Sequence, residues 1–219
     1  MEVLMCRHKA LNALGHVFVS QMQEVVSSLS SDSAVRVVIF RSLVPNVFCA
    51  GADLKERALM DNTESDLYVH GLRSLMTQIA HSAQMGLIET TRGLLPGAGG
   101  SQRLPRMVGI TQAKELIFTG RRVSGQEAQE MGLVNRAVEQ NQSGDAAYRE
   151  ALHLAREILP QAPIAVRMAK EAINRGVEVD ISSAMAIERI CYARVIPTRD
   201  RQEGMAAFIE KRPPCYTGE

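Results

Sequence analysis

Glu89 is the residue of this sequence whose type and surroundings best suit the transfer of a proton. It is the only acidic residue in the segment MGLIETTRGLLPGAGGSQRLPR, which runs from Met85 to Arg106. A carboxylate held among apolar residues can act as a general acid or base near neutral pH. The alternative is a surface glutamate paired with Arg92 on a turn, and the residues alone leave both interpretations open.

A second segment whose residues could take part in binding or catalysis is FCAGADLKE, from Phe48 to Glu56. Ala50, Gly51 and Ala52 carry little or no side chain, so a ligand oxygen can approach the main chain and accept hydrogen bonds from its N–H groups. A helix that starts near Asp53 would add its positive end to that field. The alternative is an ordinary tight turn between a strand and a helix, with Asp53 serving only as an N-terminal charge.

The C-terminal segment DRQEGMAAFIEKRPP combines an aromatic residue and a cation on one predicted helix face. Phe208 and Lys211 are three positions apart and therefore neighbours on a helix. Such a pair can hold an adenine ring and a phosphate. The alternative is a charged terminal helix that docks one apolar side against the rest of the protein.

The hydrophobic pattern predicts a mixed scaffold for these segments. Apolar residues at spacings of three and four predict a helix over 14–31, and the run Val35–Phe40 predicts a buried strand. Ser124 and Glu127 have the spacing of a capping box. Further helices are predicted over Leu67–Ile79, Asp145–Leu159, Pro163–Gly176, Ile181–Arg194 and Thr198–Lys211. We therefore expect an α/β core over 1–160 and a C-terminal helical lobe over 161–219.

Composition is that of a folded protein without a strong charge of either sign. The chain has 219 residues, of which 46% are hydrophobic and 22% charged. A net charge of +1 provides no field that would attract nucleic acid or an anionic membrane. The four cysteines are far apart and predict free thiols. No apolar run suits a membrane span, and the segment MEVLMCRHKALNALG lacks the pattern of a targeting sequence, so we expect any such segment to be absent or already removed.

Taken in order, four segments resemble the enoyl-CoA hydratase/isomerase (crotonase) superfamily. They are FCAGADLKE, MGLIE with LLPGAGGSQRLPR, AKELIFTGRRVSGQEAQEMGLVN and EGMAAFIEKRPP. The resemblance runs from about Val3 to the C-terminus and is nearest to mitochondrial hydratase-like proteins. It implies a crotonase-like α/β spiral with a C-terminal helical lobe.

The resemblance also implies roles for individual residues at the acyl end of a coenzyme A thioester. The carbonyl oxygen of that thioester sits between two backbone N–H groups, and the first of these matches Ala52. Glu89 matches one of two glutamates that hold and activate the added water. Both roles agree with the chemistry, because fixed dipoles stabilise charge as it develops and a positioned carboxylate moves the proton.

For the coenzyme A end, the resemblance implies a set of contacts rather than a separate cofactor, since coenzyme A is part of the substrate. The matching residues are Ala50, Asp53, Leu54, Lys55, Phe208 and Lys211. The last two match positions that close over the adenine and its phosphate, often from a neighbouring subunit. A trimer-based homo-oligomer in the mitochondrial matrix is the corresponding expectation.

One departure from the family pattern is large. Between Ala80 and Ser82 the family has a strand, a glycine-rich turn, a helix with a glutamate and another strand, a block of about 30 residues. The second N–H donor and the second glutamate both belong to that block. Its loss would truncate the central sheet and is typical of a skipped coding segment or an abbreviated isoform. We therefore expect weak or no hydratase activity.

Two alternative functions stay open at this point. Glu89 alone could shuttle a proton between carbons, as in the single-carboxylate enoyl-CoA isomerases of the family. The chain could instead be non-catalytic, with a binding role only. RNA binding is disfavoured, because the segment HVFVSQMQEVVSSLSSDS, which matches a lysine-rich helix of an RNA-binding relative, contains neither Lys nor Arg.

Overall fold

The computed structural model describes residues 1–57 and 85–219. These residues cluster into two compact units, Met1–Leu152 and His153–Glu219. The α-helices of the described ranges are α1 His16–Ser31, α2 Leu54–Arg57, α3 Gly100–Val108, α4 Ile110–Thr119, α5 Gly125–Glu130, α6 Ala146–Ile158, α7 Pro163–Gly176, α8 Ile181–Val195 and α9 Arg199–Glu210. Short 3₁₀ helices cover His8–Ala10 and Glu89–Arg92.

The first unit begins with a β-α-β arrangement. Strands β1, Glu2–Met5, and β2, Ile39–Ser42, pair in parallel with Glu2 opposite Ile39, and α1 connects them. A parallel pair requires such a crossover, and the helix covers one face of the strands. The core beneath α1 is formed by Met5, Leu14, Phe18, Val19 and Met22.

The predicted strand over Val35–Phe40 is displaced along the chain in the structure. Strand β2 begins only at Ile39 and extends to Ser42. The segment before it is a turn, in which the N–H of Val35 donates to the carbonyl of Asp32. Strand β1 provides ladder positions from Glu2 onward, so the apolar residues before Ile39 have no partner residues in β1.

A second hydrophobic cluster organises the chain after residue 85. Its buried members are Leu104, Ala113, Leu116, Ile117, Val123 and Ala128. Met85 joins it through an antiparallel bridge to Val123, with N–H to carbonyl distances of 2.9 and 2.8 Å. The capping box at α5 is confirmed, because the Ser124 side chain accepts from the Glu127 N–H and Glu127 bonds back to Ser124.

The C-terminal helices begin and end close to their predicted positions. Helix α7 spans Pro163–Gly176 as predicted, with Pro163 in its first turn. Asp180 caps α8 by accepting from two backbone N–H groups, and Thr198 caps α9. The predicted lobe over 161–219 falls within the second unit, which begins at His153, and the functional boundary near residue 160 stays a prediction.

Two predictions lie outside the described residues. They are the helix over Leu67–Ile79 and the interruption of the sheet between Ala80 and Ser82. Within the described ranges, none of the helices has the length and apolar character needed to span a membrane. The four cysteines, which all lie in described segments, are free thiols.

Candidate functional site

The turn at Ala50–Asp53 is held by hydrogen bonds to the loop that precedes α1. The Ala50 N–H donates to the Leu11 carbonyl at 3.0 Å. Leu14 makes two bonds, donating to the Gly51 carbonyl at 2.8 Å and accepting from the Asp53 N–H at 3.1 Å. Gly51 has a φ of +86°, a conformation that favours glycine, so the residue type and the shape of the turn agree.

Ala52 is the residue of this turn whose N–H is left available. Its neighbours Gly51 and Asp53 make the bonds of the parallel bridge to Leu14, and this pattern directs the N–H of Ala52 away from that segment. Among the described residues, nothing accepts a hydrogen bond from it. The geometry therefore suits the predicted role of Ala52 as a donor to a ligand oxygen.

Asn12 is a contributor to this turn that the sequence did not reveal. It is 0% exposed, and its side-chain amide donates to the Ser42 hydroxyl at 2.9 Å and to the Phe48 carbonyl at 3.0 Å. Its side-chain oxygen accepts from the Arg7 N–H at 2.9 Å. The only sequence signal is a polar residue between apolar ones in KALNAL, which does not distinguish a buried asparagine from an exposed one.

Asp53 also behaves as the simpler interpretation predicted. Its carboxylate accepts from the N–H groups of Lys55 and Glu56 at 3.2 and 3.4 Å, which caps the start of α2. The Arg7 guanidinium lies 3.8 Å from the same carboxylate. Ala50 and Lys55 are exposed, and Leu54 is the first residue of α2. These positions are compatible with ligand contact but do not by themselves demonstrate it.

Cys49 lies inside the same turn and is bound on both sides of its sulfur. The thiol donates to the Asn12 carbonyl at 3.2 Å, and the sulfur accepts from the Gly51 N–H at 3.4 Å. Burial raises the pKa of the Cys49 thiol, and the bond from Gly51 lowers it to a smaller extent. The side chain is therefore a neutral packing and hydrogen-bonding group rather than a nucleophile.

Glu89 opens the 3₁₀ helix Glu89–Arg92 and is not a surface ion-pair residue. One carboxylate oxygen, Oε2, is buried and has no hydrogen-bond partner among the residues that the structure describes. In the described part of the chain no ion pair joins it to Arg92, which is exposed. Buried polar atoms are normally satisfied, so an unpartnered carboxylate oxygen points to a group that binds something else. This excludes the interpretation of Glu89 as the partner of Arg92.

The turn and the segment that follows Glu89 share one hydrophobic cluster. Ala52, Phe48 and Ala98 all pack against the buried residues beneath α1. Within that segment, Gly100 lies close to Leu87 of the second cluster, because a Cβ at position 100 would lie 2.7 Å from a Leu87 side-chain carbon. The described structure thus brings the available N–H and the segment that carries the carboxylate to the same core.

Phe208 lies in the last turn of α9, in the second unit, whereas Lys211 lies just beyond the helix, so the predicted common helix face is wrong for Lys211. Phe208 is 86% exposed and lines a cleft of about 440 Å³ together with Met205 and Tyr216. Lys211 follows the helix with a φ of +54°, and its side chain is exposed. Both side chains are accessible to a ligand, as the predicted roles at the nucleotide end require.

A cluster of charges that the sequence did not single out fixes this helix end. Arg212 makes a bidentate pair with Glu203 at 2.6 and 2.9 Å and also contacts Glu210. The Cys215 N–H adds a bond to Glu203 at 2.8 Å. The Arg212 guanidinium and this N–H lower the pKa of the Glu203 carboxyl to about 2. The buried Asp200 accepts from the N–H groups of two residues of the terminal tail.

Metal chemistry finds no support in the described ranges. No group of three or more His, Cys, Asp or Glu side chains there is arranged to hold a metal ion. The polar groups around the turn are backbone amides, the Asn12 amide, the Cys49 thiol and the Asp53 carboxylate, which caps α2 and lies 3.8 Å from the Arg7 guanidinium. What these residues can do is donate a hydrogen bond to a ligand oxygen and move a proton through a carboxylate.

Comparison with known proteins gives the arrangement a context. The family model described as enoyl-CoA hydratase/isomerase matches residues 1–82 and 76–219. Enoyl-CoA hydratase domain-containing protein 2, mitochondrial, of Bos taurus is 59% identical over 249 residues, covering 100% of this chain and 84% of the bovine protein. Methylglutaconyl-CoA hydratase, mitochondrial, of Mus musculus is 48% identical over 239 residues, covering 95% of this chain and 76% of the mouse protein.

Solved structures give the same result for the fold. The enoyl-CoA hydratase of Bacillus anthracis superposes with a TM-score of 0.90 at 38% identity, covering 100% of this chain and 96% of that one. A second enoyl-CoA hydratase, from Geobacillus kaustophilus, has a TM-score of 0.91 at 27% identity. The predicted crotonase-like α/β fold is therefore confirmed.

The comparisons also confirm the predicted internal loss. The two matches to the family model overlap over residues 76–82, whereas a continuous domain would give one match. The alignment with the bovine relative spans 249 positions against the 219 residues of this chain, a difference of 30. That difference agrees with the size of one strand–helix–strand block.

Proposed function

Because the chain belongs to the enoyl-CoA hydratase/isomerase family, we propose that it binds an acyl-CoA thioester and retains only part of the family's hydratase chemistry. The observation that carries this proposal is the buried, unpartnered carboxylate oxygen of Glu89. The available N–H of Ala52 supplies the complementary group. Together they match the two functions that a thioester enolate requires, a hydrogen-bond donor and a proton carrier.

In hydration, water adds its oxygen to C3 of a 2-enoyl thioester and a proton enters at C2. Glu89 accepts a proton from the water as the carbon–oxygen bond forms and returns a proton to C2. Negative charge develops on the thioester oxygen meanwhile, where the N–H of Ala52 donates to it. No redox or metal step is needed for this balance.

We propose that hydration is slow in this chain, because the block that is lost from 76–82 carried a second N–H donor and a second glutamate in the family pattern. Loss of one such donor typically costs about 10²–10³ in rate. Loss of one acid–base group costs about 10²–10⁴ more. The expected activity therefore lies far below that of a family member with the whole block.

A single-glutamate isomerase is the second candidate, and the same observation favours it. Isomerisation of a 3-enoyl thioester removes a proton from C2 and returns it at C4, so one carboxylate performs both steps. Glu89 is the one acid of the Met85–Arg106 segment. A binding protein without turnover is the remaining alternative.

At the coenzyme A end, we propose contacts from Lys55 and the Ala50–Leu54 turn, and from Phe208 and Lys211. Their support is the exposure of Ala50, Lys55, Phe208 and Lys211. The relatives named above carry the word mitochondrial in their names, and we propose the mitochondrial matrix for this chain as well. A trimer-based homo-oligomer is proposed on the family resemblance alone.

The experiment that tests the proposal compares the wild type with Glu89→Gln. Coenzyme A-agarose retention and calorimetry with a thioester measure binding, and product analysis with 2-enoyl- and 3-enoyl-CoA measures turnover. We expect both proteins to bind, and we expect the glutamine variant to lose residual turnover by about 10²–10⁴-fold because it keeps the shape but cannot carry the proton. Equal turnover in the two proteins would contradict the role of Glu89, and absence of binding would contradict the whole proposal.

A further inference from the structure

We propose that Asn12 is the positioning residue that sets the direction of the Ala52 N–H. The role of that N–H toward a thioester rests on the proposed function, whereas the geometric part of the inference does not. Asn12 makes no contact with a ligand in this proposal. It acts by holding the loop before α1 and the Phe48–Asp53 turn in one arrangement.

Every polar group of the Asn12 side chain makes a hydrogen bond that supports this arrangement. Its amide nitrogen donates both hydrogens, one to the Ser42 hydroxyl at the end of β2 and one to the Phe48 carbonyl at the start of the turn. Its oxygen accepts from the Arg7 N–H after β1. One buried side chain therefore ties the ends of both strands to the turn.

The main chain of the same loop continues the contact. The Asn12 carbonyl accepts from the Cys49 thiol at 3.2 Å, and on either side of it Leu11 and Leu14 bond to Ala50, Gly51 and Asp53. The N–H groups of Ala50, Gly51 and Asp53 thus all have partners inside the protein. The direction of the Ala52 N–H follows from the bonds made by its neighbours.

The residue type is as constrained as the contacts. Asn12 has a φ of +54°, a conformation that asparagine and aspartate tolerate better than most residues. Aspartate keeps this tolerance and the size of the side chain but offers no donor to Ser42 or Phe48. It places a carboxylate beside the Phe48 carbonyl instead, and an unpaired buried acceptor is costly. Asn12→Asp therefore removes the two donors and keeps the size of the side chain and its backbone conformation, at the cost of one added buried acceptor.

The chain contains a matched control for this substitution. Asn46 has a φ of +59° and is exposed, and it lies on the loop just before the turn. Asn46→Asp makes the same chemical change in the same backbone conformation without touching a buried bond. A second variant, Ser42→Ala, removes one of the two acceptors of the Asn12 amide and leaves the bond to Phe48 in place. It also removes the bonds of the Ser42 hydroxyl to the main chain of Val44 and Val47.

The first readout is the amide resonance of Ala52 in the ligand-free protein, measured by ¹H–¹⁵N NMR. We expect it to shift or broaden in Asn12→Asp, to move less in Ser42→Ala and to stay unchanged in Asn46→Asp. The second readout is the absorption of a thioester whose aromatic acyl group is conjugated to its carbonyl, because hydrogen bonds to that carbonyl shift the band to longer wavelength. We expect the shift in the wild type and Asn46→Asp and its loss in Asn12→Asp.

The two readouts separate the two proposals. An unmoved Ala52 resonance in a folded Asn12→Asp overturns the inference, whatever the absorption shows. A wild type that binds the thioester without a band shift, while the Ala52 resonance responds to Asn12→Asp, supports the inference and contradicts the proposed function. If Asn12→Asp does not fold, the Ser42→Ala comparison decides, and an Ala52 resonance unmoved in that variant overturns the inference.

Discussion

The turn around Ala52 and the helix end around Lys211 are built in opposite ways. The turn is held mainly by hydrogen bonds among amides, a thiol and the fully buried Asn12, with one longer ion pair between Arg7 and Asp53. The helix end is held by exposed charges, in which Arg212 joins Glu203 and Glu210. One region fixes a single N–H, and the other presents Phe208 and Lys211 to solvent.

The difference follows from what each region has to do. A donor that stabilises developing charge is effective only when its direction is fixed before the reaction, so its supports are buried and insensitive to salt. A surface that grips a large polar group tolerates small movements, and exposed charges suffice for it. The first region therefore responds to changes in geometry, and the second to salt and pH.

Insertion of the missing block is the change with the largest expected effect. The segment of the bovine relative that has no counterpart here would be inserted between Ala80 and Ser82. If the turn is already fixed as described, the block returns a second donor and a second glutamate, and hydration of a 2-enoyl-CoA should rise by at least the gain of about 10²–10³-fold expected from the donor alone. Steady-state kinetics measures this gain, and a glycine–serine insert of equal length is the control. A soluble insertion protein without any gain would show that the turn is not ready for catalysis.

Substitution at the helix end should have a smaller effect, on binding rather than turnover. Phe208→Ala and Lys211→Ala should each weaken thioester binding about 2- to 5-fold, as expected for exposed ring and charge contacts. The effect of Lys211→Ala should fade at high salt and that of Phe208→Ala should persist. Calorimetry at two ionic strengths checks both, with the exposed Lys170 of the same unit substituted by Ala as control. If either variant lost turnover at saturating substrate, the helix end would contribute to catalysis as well as to binding, which would contradict the proposed difference between the two regions.

The pH dependence of Glu203 should be the smallest effect. Its pKa falls from 4.5 to about 2 in the folded protein, so its stabilising contribution is present above pH 4.5 and is lost as the pH falls through about 2. Glu203→Gln should therefore be less stable than the wild type above pH 4.5 and equal to it near pH 2. Urea unfolding across this range measures the difference, with Glu188→Gln on exposed α8 as control. A difference in the free energy of unfolding that persists unchanged at pH 2 would contradict a stabilising role of the Arg212–Glu203 ion pair.

Signals within a few residues predicted local structure well. The errors arose where the bounds of an element depend on a segment distant in sequence. The capping box at Ser124 and the first-turn proline at Pro163 each act within a few residues, so they located α5 and α7. Strand β2 was misplaced because its start depends on the register of β1, which the run Val35–Phe40 does not encode.

The site shows the same division. Resemblance of motifs indicated Ala52 and Glu89, and their roles stay predictions. Within the described ranges, the Ala52 N–H and the Glu89 Oε2 atom have no hydrogen-bond partner. Asn12 was missed because its importance lies in contacts with Ser42 and Phe48, which are 30 and 36 positions away. No pattern within a short window carries that information.

The hydrogen bond between Glu56 and the start of α1 affects the order in which the chain can fold. Its carboxylate accepts from the His16 N–H at 2.8 Å and so caps α1 from 40 positions further along. During synthesis, α1 emerges from the ribosome well before this acceptor and begins with a glycine in place of a side-chain cap. The helix reaches its final stability only when the Phe48–Asp53 turn has brought Glu56 back to it. Gly15 leaves room for the carboxylate in this position, since a Cβ there would lie 2.3 Å from a Glu56 oxygen and the side chain would have to shift.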